Sequence, residues 1–277
     1  MAEEERLSQT VVEESLSVKS RVEKRLHRTE KRYEREQLAK TKRSEEYDTL
    51  EEVFDRPTLM TVYRLLNQGV IKRIHGVVES GKESRIYHGV GAEGRELAIK
   101  IYLTTSAEFR KGMQTYIQGD PRFKHIRPDT RSLVYLWAQK EFKNMTQAYA
   151  SGVSVPKPIY VEKNVLIMEF VGEDGVRAPL LREKPPSDPE RMYRQLLEHV
   201  KKLYKAGLVH GDLSEYNIMN WMEKPVIFDI SQSVTLEHPM AARFLRRDIE
   251  NLNRFFQGLG IEVKDLDELY RWIARDD

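Results

Sequence analysis

From Arg56 onward, apolar residues follow first a helical and then a strand periodicity. In "RPTLMTVYRLLNQG", Leu59, Val62, Leu65 and Leu66 recur at helical spacing, and Gly69 marks a C-terminal stop. Four shorter runs, "RIYHGV", "ELAIKIY", "KPIYVEKN" and "VLIMEFV", predict strands, the first two joined across the turn at Gly91–Gly94. Between the second and third, "RSLVYLWAQKEFKNMTQAYA" predicts one long helix. There Leu133, Trp137, Glu141 and Met145 stand four apart and share a face, so a carboxylate interrupts an apolar stripe. After "GEDGVRAPLLREKPPSDP" the pattern turns helical. Asp188 and Pro189 form a cap and first residue, Met192, Leu196, Val200 and Leu203 make a stripe, and Gly207 ends it. The loop "LVHGDLSEYNIMN" leads into an apolar strand, "PVIFDIS", and the 48 residues after Asp229 are mostly helical, including "AARFLRRDIENLNRFF" and "KDLDELYRWI". The expectation is an α+β chain in three regions: an extension over residues 1–50, an N-terminal helix with a strand-rich small lobe over 51–170, and a helical large lobe over 171–277.

Composition narrows the class without naming a function. No apolar run approaches the roughly 18 residues that span a bilayer. The opening "MAEEERLSQTVVEESLS" lacks a signal-peptide core, so a cytoplasmic protein is expected. The chain has no cysteine, which excludes disulfides and thiolate–zinc sites. Net charge is only +2, yet residues 19–43 hold eleven Lys/Arg against four Glu. Such a segment is a solvated charged helix or tail, or an arm attracted to nucleic-acid phosphates through counterion release.

Chemistry enters at "HGVVESGKESRIYHGVG", residues 75–91. Gly76, Gly81 and Lys82 fit a Walker phosphate loop, but Glu83 stands where the Mg²⁺-holding hydroxyl belongs. A kinase glycine-rich loop laid on Glu79–Ile86 keeps only Gly81, with Ser84 at the third glycine and Ile86 at the valine. A Walker loop leads into a helix, whereas here another strand follows, so the loop is read as the kinase type, with Ser80, Lys82 and Ser84 as phosphate contacts. In "LAIK", Ala98 and Lys100 share one face of a strand. A buried lysine needs a counter-ion, and Glu141 is the candidate. In "HGDLSEYN" and "FDIS", Asp212 and Asn217 are five apart and Asp229 follows twelve later, the kinase order of acceptor-facing Asp, metal-binding Asn and metal-binding Asp. Phosphoryl transfer asks the protein to position Mg²⁺, neutralise oxygens and orient the acceptor, and oxygen donors suit that hard ion.

"ESGKES", "LAIK", "LVHGDLSEYNI", "FDISQSV" and "EHPMAARFLRRD" together resemble the RIO family of atypical serine/threonine protein kinases, over residues 50–260. "SQSV" and "FLRRD" resemble its first subgroup, in an archaeal-type member. The resemblance implies a bilobal protein-kinase-like fold with a trimmed large lobe, ATP and Mg²⁺ (or Mn²⁺) as cofactors, serine autophosphorylation, and a role in maturing the small ribosomal subunit, whose precursor would be the partner. It also implies ATPase turnover, in some members through a phosphorylated Asp at the position of Asp229. Catalytic roles then fall to Asp212, Lys100 and Asp229, and metal binding to Asn217 and Asp229. Nucleotide contacts fall to Ser80, Gly81, Lys82, Ser84, Ile86, Ala98, Lys100 and Glu141. Met168, Glu169, Phe170 and Val171 resemble the adenine hinge, and read equally well as a buried strand end. His210 is expected to hold the catalytic loop together. Residues 104–132, with Thr104, Thr105, Ser106, Arg110, Lys111, Arg122, Lys124 and Arg127, match a mobile insertion. A small-molecule kinase of the aminoglycoside or choline type, and a nucleotide-gated RNA-binding assembly factor, are the competing readings.

Overall fold

The computed structural model describes residues 53–104, 107–123 and 129–275. The charged extension of residues 1–50, with its basic arm 19–43, lies outside the described residues.

Helix α1 (Arg56–Asn67) starts because Asp55 accepts the Thr58 N–H at 3.0 Å and Pro57 pre-sets the first turn. Its Val62 and Leu65 are buried, and Gly69, at φ +75°, turns the chain out of the helix. Strands β1 (Arg73–Ser80), β2 (Ser84–Val90) and β3 (Glu96–Tyr102) follow, then helices α2 (Ala107–Ile117) and α3 (Thr130–Ala150), then β4 (Pro158–Glu162) and β5 (Val165–Glu169). The five strands make one antiparallel sheet, in the order β1-β2-β3-β5-β4. Central β3 is buried on both faces: Leu97, Ile99 and Ile101 on one, Ala98, Lys100 and Tyr102 on the other. That second face packs toward α3, whose Trp137, Glu141 and Met145 are fully covered.

Two expectations change here. The strand β1 was not anticipated, because its burial does not alternate: register shifts on both sides of Val77 break the period of two, and Val77 itself is exposed. The insertion expected to be mobile is in part a docked helix. Met113 and Tyr116 of α2 and Phe123 beyond it are buried in the main core, and Arg122 turns inward onto Asp120 and Asn144. Thr105, Ser106, Lys124 and Arg127 lie outside the described residues.

Beyond the sheet come the short β6 (Gly172–Glu173) and β7 (Val176–Arg177), then α4 (Pro189–Lys205), begun by Asp188, which accepts the Arg191 N–H at 3.0 Å. β8 (Leu208–Val209) pairs with β11 (Val234–Thr235), and β9 (Ile218–Trp221) with β10 (Lys224–Ile227). Helices α5 (Ala241–Gly258) and α6 (Leu266–Ala274) close the chain. One apolar core joins α3, α4 and α5 through Trp137, Leu196, Val200, Leu245, Ile249 and Phe256, and so fixes the lower loops relative to the sheet. Among the described residues, no helix is long and apolar enough to cross a membrane.

Candidate active site

Three elements bring their charges to one point. Strand β3 aims Lys100 inward, α3 presents Glu141, and the loop after β10 supplies Asp229. Lys100 Nζ lies 2.8 Å from Glu141 Oε1 and 3.3 Å from Asp229 Oδ1. Glu141 is fully buried and also accepts the Tyr102 hydroxyl, whereas the Asp229 side chain is 42% exposed. Burial would strip the proton from Lys100, but Asp229 and Glu141 hold its pKa well above the usual value, so it remains a cation. Desolvation pushes Asp229 up, yet Lys100 and the Ser231 hydroxyl and N–H outweigh it and hold Asp229 down to about 2. The result is a fixed ammonium beside a half-open, ionised carboxylate.

The loop carrying Asp212 is tied down from below. Gly211 sits at φ +84°, and a Cβ there would meet the Gln232 carbonyl at 3.2 Å, so no other residue fits without strain. Asp248, buried on α5, accepts the N–H groups of Gly211 at 2.8 Å and Leu213 at 2.9 Å. Burial raises its pKa to about 7, against the pull of those two N–H groups and Arg247. Arg247 donates to the Gly211 carbonyl and to Tyr116 Oη. His210 is buried and its pKa is lowered to about 4 by desolvation, so the neutral ring accepts the Asp212 N–H through Nδ1 at 3.3 Å. The Asp212 carboxyl stays exposed; partial desolvation and the nearby Asp229 raise its pKa, while Arg247 opposes them. Asn217 stitches the loop internally, accepting the Ser214 N–H at 2.9 Å and donating to the Asp212 carbonyl.

Between the lobes lie two adjoining spaces. A narrow apolar pocket is lined by Ile86, Ala98, Met168, Glu169, Phe170 and Val171, joined by Val78, Met219 and Phe228, which sequence reasoning missed. The register sets Ala98 directly opposite Met168, so the small side chain leaves the gap that the larger ones frame. A more open, polar space is lined by Gly81, Lys82, Ser84, Lys100 and Asp229. The loop at Gly81 joins antiparallel β1 and β2, and its N–H donates to the Ser84 carbonyl at 2.9 Å, a strand–turn–strand geometry unlike a Walker loop. Glu83 also lines this space; desolvation and Asp229 raise its pKa, with Lys100 opposing.

Four expected site residues, Ser80, Glu141, Asp212 and Asn217, line neither space. Ser80 ends β1 opposite Arg85, and Glu141 lies beneath Lys100, acting through it. The side-chain oxygen of Asn217 faces the loop backbone. That oxygen keeps a second lone pair, so a metal can still share it. Sequence reasoning also missed Tyr102 and Asp248. Asp248 had a legible signal, an acid on the apolar stripe of α5 between Leu245, Ile249 and Leu252.

A lysine paired to a helix carboxylate, an aspartate at a strand end and a braced loop aspartate, arranged between a five-stranded sheet and a helical lobe, define a protein kinase. The comparisons narrow the class. The family model described as "RIO domain" matches residues 85–269. The RIO-type serine/threonine-protein kinase Rio1 of Haloferax volcanii is 39% identical over 85% of this chain and 81% of its own. That of Methanocaldococcus jannaschii is 38% identical over 91% and 86%, and human serine/threonine-protein kinase RIO1 is 36% identical over 82% and 40%. The chain belongs to the RIO family. The crystal structure of the Rio2 kinase–ADP/Mg²⁺–phosphoaspartate complex from Chaetomium thermophilum superposes with a TM-score of 0.61, at 24% identity, over 79% of this chain and 66% of that one, a likeness of fold.

Proposed function

We propose that the protein uses ATP and Mg²⁺ to phosphorylate serine or threonine hydroxyls, its own included, and hydrolyses ATP in the maturation of the small ribosomal subunit. The observation that carries the catalytic part is the Glu141–Lys100–Asp229 chain, which joins helix, strand and metal-site loop across 2.8 and 3.3 Å. The apolar pocket framed by Ala98 and Met168 is the place for adenine, and the adjoining polar space puts the phosphates beside Gly81, Lys82, Ser84 and Lys100. Lys100, kept charged and aimed by Glu141, meets the phosphate oxygens without reorganising. Asp229 and Asn217 supply oxygen donors of the kind a hard divalent ion takes. Magnesium, when bound, neutralises charge on the phosphates. Asp212, with its pKa raised, accepts the proton of the attacking hydroxyl. The Rio2 complex is described as holding a phosphoaspartate; Asp229, ionised and half open, is the residue this chain would use for such a step.

The ribosomal part rests on family membership and on the charge of residues 19–43, whose eleven Lys/Arg suit an RNA backbone. Asp229→Ala should cut ATP turnover by about 10²–10³ with the far-UV circular dichroism unchanged. Full turnover in that variant would end the metal assignment. Binding to small-subunit precursor RNA that ignored both salt and deletion of residues 1–50 would end the RNA assignment.

A further inference from the structure

The loop that carries Asp229 is held by its carbonyls, from the side away from the cleft. Asn144 Nδ2, on α3, donates to the Ile230 carbonyl at 3.3 Å and the Ser233 carbonyl at 3.1 Å. One turn earlier, Lys140 Nζ donates to the Ser231 carbonyl at 2.8 Å. Both side chains are 1% exposed, and neither lines the nucleotide spaces.

A peptide unit is planar and trans, so its C=O and N–H point in opposite directions. The Ile230 carbonyl and the Ser231 N–H belong to one such unit. With the carbonyl turned onto Asn144, the N–H is turned toward the cleft, where it donates to Asp229 Oδ1 at 3.2 Å. The direction of the Asp229 carboxylate is therefore linked to Asn144 through one rigid plate.

Asn144 is in turn held by the insertion. Its Oδ1 accepts from Arg122 Nη1 at 2.8 Å, which leaves Nδ2 to face the loop. Arg122 is clamped by buried Asp120, with Nη2–Oδ2 at 2.6 Å and Nε–Oδ1 at 2.9 Å. Asp120 and Arg122 lie just beyond α2, whose Tyr116 also touches Arg247 over the catalytic loop. A path of charge-assisted and neutral hydrogen bonds thus runs from the insertion to the carboxylate, and Asp120, Arg122 and Asn144 line neither nucleotide space.

We infer that Asn144, oriented by Arg122, and Lys140 are positioning residues for Asp229, through which the docked insertion sets the affinity of the site for a magnesium–nucleotide. A partner that drew the insertion away would weaken that affinity and favour release of the nucleotide. The inference rests on the metal assignment made above.

The test is ADP binding by calorimetry, in EDTA and in excess Mg²⁺, for the full chain and for Asn144→Leu and Arg122→Gln, with the melting temperature of each. The wild type should bind ADP more tightly with Mg²⁺. In Asn144→Leu that gain should shrink by about tenfold, the low end for loss of a group that orients a metal ligand. Arg122→Gln should shrink it less, and ADP affinity in EDTA should not move in either. Arg122→Gln decides the matter if Asn144→Leu fails to fold, because Arg122 is partly exposed. An undiminished Mg²⁺ gain beside a lowered melting temperature would make these residues core packing only and overturn the inference. A wild type that gained nothing from Mg²⁺ would instead remove the metal assignment, and the inference with it.

Discussion

Lys100, on β3, and Lys140, on α3, are both buried and both act on the segment around Asp229, yet their surroundings make them opposite kinds of lysine. Lys100 touches two carboxylates and keeps its proton. Lys140 touches a carbonyl, lies 4.2 Å over the Trp137 ring and has Arg122 for a neighbour. Desolvation and that arginine pull its pKa down to about 7, against Asp120, Glu141 and Asp229. Burial removes the same hydration from each; what differs is whether a full anion or only a dipole replaces it. A catalytic cation is therefore made by its counter-ion, and a structural one can do its work as a hydrogen-bond donor in either protonation state.

The largest expected effect comes from breaking the first member of the comparison. Lys100→Met should lower kcat by about 10²–10³ and leave Glu141 buried without its cation, at a cost of about 3–5 kcal/mol in urea unfolding. Adding Glu141→Leu should restore most of the stability and none of the activity. If the double variant unfolds as readily as the single one, the pair is not what holds β3 to α3.

A middle-sized effect is expected at Asp248, which braces the catalytic loop as Glu141 braces Lys100. Asp248→Asn keeps the shape but sets an amide NH2 against one of the two N–H groups, so a buried donor loses its acceptor, stability should fall by about 1–3 kcal/mol and kcat should fall with it. Unchanged kcat with lowered stability would separate the brace from the chemistry.

The smallest effect sharpens the other side. Because the folded pKa of Lys140, about 7, lies below the usual 10.5, the unfolded chain binds a proton between those values that the folded chain lacks. Below pH 7 both forms carry it and the cost of burying the charge is present in full. Relative to Lys140→Met, the wild type should therefore gain about 1 kcal/mol of stability from pH 7 to pH 8. A difference independent of pH would mean that Lys140 stays charged like Lys100.

Much of the frame was legible because it depends on local rules. The helices α1, α3, α4 and α5 carry their apolar stripes, and Asp188 and Gly69 their end signals, in consecutive residues. The spacing of Asp212, Asn217 and Asp229 was equally plain, since all three fall on either side of one short hairpin, β9–β10. Less visible was β1, whose bulges erase the alternation, and the docking of α2, whose buried residues only make sense against Phe244, Arg247 and Gly211. The pocket residues Val78, Met219 and Phe228 come from three separate segments and are ordinary apolar residues in each.

By itself, then, the chain's order of residues determined the element types, the kinase family and the identity of the charged groups, because periodicity, capping and motif spacing act over a few residues at a time. Only the tertiary structure decided what each group faces: that Tyr102 joins Lys100 on Glu141, that Asn217 turns onto its own loop, and that Asn144 and Arg122 reach the backbone behind Asp229. Burial, pKa and direction depend on neighbours brought together from distant parts of the chain, and no local pattern records who those neighbours are.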